Sequence, residues 1–142
     1  MVNRFAPLLV AGSAAIVLLL GLLHVAYTFR GPKLLPRDRE LQARMQQVSP
    51  VITRETTIWK VWVGVNASHG YGLILFGLVY GYLALAQGEV LFRSLFLLVL
   101  GLSLLIAYVS LTRTYFFSIP FWCLLVATLL FSLGLIVSRV RP

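Results

Sequence analysis

Two histidines, His24 and His69, are the residues of this chain best equipped for chemistry, because each lies in a long stretch free of Asp, Glu, Lys and Arg. Where water is scarce an imidazole needs a partner for its N–H, and polar groups kept in such a setting tend to serve a purpose. The spacing gathers more hydrogen-bonding groups around them. Tyr27 follows His24 by three residues, and Trp62, Asn66 and His69 follow one another at four and three, so each set occupies one helix face. Brought together, His24, Tyr27, Trp62, Asn66 and His69 would form a polar site for the head of a hydrophobic small molecule, lipid or quinone-like. Two imidazoles on different helices are also the axial set of a haem b. That alternative stays open, although the pattern demands no cofactor. Zinc is poorly served, since two nitrogen ligands are visible where three or four protein ligands are usual, and no metal site is expected. The simplest alternative is structural, with each histidine bonding a carbonyl or hydroxyl of a neighbouring helix. No residue acquires a catalytic role from this pattern.

The elements that must position these groups are written in the charge distribution. Twelve Lys and Arg and four Asp and Glu leave four windows without charge, residues 5–29, 61–88, 94–112 and 114–138. A helix needs roughly 20 apolar residues to cross the hydrocarbon core, so each window can span. Mean hydropathy is +0.94, and charged residues make up 11% of the chain, against about 25% in a soluble domain. The expected class is an all-α integral membrane four-helix bundle, antiparallel and up-down, forming one domain over residues 1–142. A disordered chain and a soluble enzyme are excluded, and nucleic acid is not an expected partner. The net charge of +8 belongs instead to topology and lipid head groups.

The first span, about 5–29, has too long an apolar run for a secretory signal and reads as retained. Residues 30–57 form a polar connector. Leu34, Leu41, Met45 and Val48 put apolar side chains on one face of a short helix over about 37–48, an interfacial helix between spans 1 and 2. Ser49-Pro50 has the form of a helix cap and could start the second helix early, with its apolar part over 58–87. Gln87-Gly88 ends that helix, and residues 89–92 leave room for a tight turn before spans at 92–112 and 119–138.

Seven basic residues of the segment from Arg30 to Lys60 (Arg30, Lys33, Arg37, Arg39, Arg44, Arg54 and Lys60) join Arg113 on one side, against Arg4, Arg93, Arg139 and Arg141 on the other. The positive-inside rule therefore places the connector in the cytoplasm and both termini outside the cell membrane. All four acids lie outside the spans, so ion-coupled transport lacks its usual midplane carboxylate. Cys123 is the only thiol, which removes disulfide chemistry within the chain.

Polar threads are expected to face the bundle on every span: Ser13, Gly21, His24 and Thr28; Trp62, Asn66, His69, Gly72 and Tyr80; Ser103, Ala107 and Ser110; Thr128 and Ser132. Their hydroxyls are expected to bond back to their own helices. Gly70, Gly77 and Gly81 make a small-residue stripe on span 2, with Gly77 and Gly81 in G-x-x-x-G spacing, suited to close packing on another span of this chain before another subunit or a second copy. The segments His24-Val25-Ala26-Tyr27-Thr28 and Gly64-Val65-Asn66-Ala67-Ser68-His69-Gly70 carry H-x-x-Y-T and G-x-N-x-S-H-G, the second preceded by Trp59 and Trp62. This combination resembles a group of small bacterial four-span membrane proteins across essentially the whole chain. The resemblance implies a four-helix membrane fold and a bacterial source, and it implies no reaction. Two functional classes follow: a binder of a lipid or quinone-like molecule, or an accessory subunit of a larger membrane complex.

Overall fold

The computed structural model describes residues 5–139. Among these residues the regular structure is entirely helical: α1 (Phe5–Phe29), α2 (Arg39–Gln47), α3 (Ile58–Ala86), α4 (Gly88–Arg93), α5 (Leu95–Tyr115) and α6 (Ser118–Arg139). The four long helices α1, α3, α5 and α6 have 25, 29, 21 and 22 residues and are long and apolar enough to cross a membrane. Arg4 and Arg141, counted above among the basic residues of the terminal side, lie outside the described residues.

Helix boundaries follow local chemistry. The side chain of Asp38 accepts from the backbone N–H of Glu40 and Leu41, which fixes the start of α2. Ser94 does the same for Leu97 at the start of α5. Two expectations are corrected here. Ser49-Pro50 does not open the second long helix. Pro50 accepts from Thr53 N–H in a turn, Val48 accepts from Ile58 N–H at 2.8 Å, and the Thr57 hydroxyl meets Lys60 N–H at the true start of α3. Residues 89–92, expected as a tight turn, instead lie within α4, and α5 begins at Leu95 with Ser94 as its cap.

The chain divides into two compact units, Gly21–Gly72 and the remainder on either side of it. In the larger unit all four long helices contribute to a core that includes Val10, Ala14, Val17, Phe76, Leu105, Leu124 and Phe131. Small residues set its spacing. A Cβ added at Gly77 would lie 2.5 Å from Leu18 Cβ and 2.8 Å from the Ala14 carbonyl oxygen, while one at Gly81 would lie 3.7 Å from Ala14 Cβ. The G-x-x-x-G stripe thus seats α1 against α3 within the chain, in antiparallel register. Gly101 opens a slot for two rings, since a Cβ there would be 2.7 Å from both Phe131 and Tyr80. Phe76 stacks on Tyr80 at 4.5 Å, Phe131 meets Tyr80 edge-on at 5.5 Å, and the Tyr80 hydroxyl donates to Leu97 O at 2.8 Å.

The polar thread expected on span 3 points the other way. Ser103, Ala107 and Ser110 are exposed, and α5 buries Leu98, Gly101, Leu105 and Thr112 instead. The physical reason is that Ser110 already donates to Ile106 O at 2.9 Å, so its hydroxyl needs no partner across the bundle. Thr28, Thr112, Thr114, Thr128 and Ser138 bond back in the same way. Ser13 differs: it is fully buried and its hydroxyl has no hydrogen-bond partner among the described residues.

Candidate functional site

The smaller unit contains all five site residues read from the sequence. It consists of the last turns of α1, the connector with α2, and the first half of α3 up to Gly72. Gly70 permits the close approach on which the site depends, since a Cβ there would be 2.6 Å from Val25 Cγ2 and 3.3 Å from the Gly21 carbonyl oxygen. With the backbones this near, side chains one turn either side of Val25 and Gly70 can meet across the pair.

Three of the five make direct contact. Asn66 Nδ2 donates to the carbonyl of Trp62, one turn back on α3, at 2.8 Å. That bond turns Oδ1 toward α1, where it lies 3.2 Å from His24 Nε2. An amide oxygen can only accept, so Nε2 carries the proton and Nδ1 is left as the acceptor nitrogen of the His24 ring. The His69 ring meets the His24 ring edge to face, with centroids 4.9 Å apart and planes at 65°. Thr28 donates to His24 O at 2.7 Å and reinforces the last turn of α1. Both histidines and Asn66 are half-buried.

Trp62 and Tyr27 act at one remove, by holding the connector. Trp62 Nε1 donates to Leu34 O at 3.2 Å, and the Lys33 ammonium sits over the Tyr27 ring at 3.9 Å. Sequence reasoning did not assign Lys33 or Leu34 to the site. The available signal was Gly31, whose φ of +83° turns the chain sharply after Arg30 closes the last turn of α1 on Ala26 O. That reversal returns the following residues toward the helix they have just left.

The ring geometry bears on metal ligation. Two imidazoles on opposite sides of one metal, about 2.0–2.1 Å from it, would hold their ring centroids roughly 6 Å apart. At 4.9 Å and 65° the two rings are instead in direct edge-to-face contact. Among the described residues no three His, Cys, Asp or Glu side chains gather as a metal-holding group.

Fold and site together define a multi-pass α-helical membrane protein with a polar cluster between two of its long helices. No protein-family model, curated protein or solved structure matches the chain.

Proposed function

We infer that this cell-membrane protein binds the polar head of a lipid or quinone-like molecule against His24, with His69, Asn66, Trp62 and Tyr27 around it. The observation that supports this reading best is the ordered series from Trp62 O through the Asn66 amide to His24 Nε2. It fixes the imidazole and leaves Nδ1 as an acceptor, which suits a hydroxyl-bearing head such as a quinol or a lipid alcohol. An imidazole fixed in this way in an apolar span is costly unless it serves packing or a ligand.

The competing role is an accessory subunit whose histidines only join helices. Gly70 and Gly77 are occupied by α1 of the same chain, so docking on a partner would fall to the lipid-facing surface. Purification in a mild detergent, followed by solvent extraction and mass spectrometry, separates the two. The binder reading expects a retained small molecule that is lost from His24→Ala and Asn66→Ala. A stoichiometric co-purifying protein with no retained molecule would replace it with the subunit reading.

The same reading places the connector in the cytoplasm and both termini outside, on the excess of Lys and Arg in the connector, and takes a bacterial source from the shared histidine motifs. Cysteines introduced at exposed connector positions such as Gln46, in a Cys123→Ser background, should resist a membrane-impermeant thiol reagent in intact cells. Ready labelling there would reverse the orientation.

A further inference from the structure

A second candidate site lies in the larger unit, where α5 begins and α6 ends. An apolar groove runs between Leu95, Leu98, Val99 and Leu102 of α5 and Leu135 and Ile136 of α6, with Arg139 at its rim. Leu95, Val99 and Ile136 are exposed, so the groove opens on the surface that spanning helices present to lipid. Its volume of about 280 Å³ falls just below the roughly 300–1,000 Å³ of pockets that enclose drug-sized molecules. A single hydrocarbon chain suits that size and the aliphatic walls, which offer no hydrogen-bonding side chain except Arg139.

Arg139 supplies the second half of a lipid site. The 22 residues of α6 rise about 33 Å, close to the hydrocarbon thickness, so its last residue reaches head-group level. It is exposed, and no carboxylate of a described residue pairs with it, whereas Arg93 at the same end is engaged by Glu89 at 3.3 Å. Its guanidinium presents a planar fork of donors that matches a phosphate.

The geometry points to a binding site for one anionic glycerophospholipid, with an acyl chain along the α5–α6 groove and its phosphate on Arg139. The site shares no residue with the histidine cluster and does not depend on the function inferred there. Native mass spectrometry of the purified full chain, delipidated and then exposed to mixed micelles of phosphatidylglycerol and phosphatidylcholine, tests it. The wild type should keep one phosphatidylglycerol per chain. Arg139→Gln should lower that occupancy about fivefold, the effect of one basic residue near an anionic surface. Leu102→Trp, which fills the groove, should remove the adduct, and Arg113→Gln at the far end of α5 should leave it in place. Absence of any adduct from the wild type would overturn the proposal. So would wild-type occupancy in Arg139→Gln, which changes an exposed side chain and decides the matter even if Leu102→Trp fails to fold.

Discussion

Alanine at Gly77 should destabilise the protein, while alanine at Gly81, one turn further along the same helix, should not. The added Cβ at Gly77 would lie 2.5 Å from Leu18 Cβ and 2.8 Å from both Leu18 Cα and the Ala14 carbonyl oxygen. Carbon atoms in good contact are about 3.5–4.0 Å apart, so α1 and α3 must separate by roughly 1 Å. Backbone atoms cannot rotate away, and this is why the strain reaches the whole helix pair. Overpacking of this kind costs about 1–3 kcal/mol. Removing a glycine from a helix interior offsets about 0.5–1 kcal/mol of that, which leaves a net loss of up to about 2.5 kcal/mol. At Gly81 the added Cβ meets Ala14 Cβ at 3.7 Å, an ordinary contact, so only the helix gain of up to about 1 kcal/mol remains. Leucine at Gly77 should cost more than alanine. Reversible unfolding in mixed mild-detergent and dodecyl sulfate micelles, followed by circular dichroism, measures the difference in sign. Equal stability of Gly77→Ala and Gly81→Ala would show that α1 is not seated in the Gly77 notch.

Other perturbations test other contacts. Gly101→Ala places a Cβ 2.7 Å from the Tyr80 and Phe131 rings and should cost about 1–3 kcal/mol with a changed near-ultraviolet dichroism; an unchanged aromatic signal would refute the slot. A double-mutant cycle on His24→Ala and Asn66→Ala should give a coupling of about 0.5–1.5 kcal/mol, the usual scale for a hydrogen bond between membrane helices. Additive effects would mean that the two side chains do not meet. Trp62→Phe removes the indole bond to Leu34 O and should speed tryptic cleavage within residues 30–57 while leaving the long helices intact. A wild-type cleavage rate would rule out that bond as a tether.

The four spans were legible because charge is so costly in hydrocarbon that its absence marks them directly, and α1 ends at Phe29, where the charge-free window ends. Helix ends set by competing caps were harder to read. Ser49-Pro50 and Thr57 both resemble helix starts, and what separates them is the bond from Ile58 N–H to Val48 O, made between residues ten apart. The face of α5 was misread for a related reason. Polar residues mark a buried face only if they need partners, and Ser110 finds one in its own helix. Buried positions there follow from Gly101, whose missing side chain admits Tyr80 and Phe131, a fit between three helices that no single periodicity encodes. At the candidate site the histidine, asparagine and tryptophan positions were readable from helical spacing. Lys33 and Leu34 were not, because their place depends on the positive φ at Gly31.

The unequal helices also restrict which membranes suit the protein. The 29 residues of α3 rise about 43 Å and the 21 of α5 about 31 Å, against a hydrocarbon core of about 30 Å. The longer helix can stand clear of the core at its Ile58 end, where Trp59, Lys60 and Trp62 suit the interface. The shorter one has no surplus, and it is bounded by Ser94 with Arg93 at one end and by Arg113 near the other. Hydrophobic mismatch is therefore one-sided: bilayers thinner than average are absorbed by tilt, but each added ångström of thickness draws an arginine toward hydrocarbon, at a fraction of a kcal/mol per ångström. It is the shortest span that sets the thickest bilayer this chain can occupy.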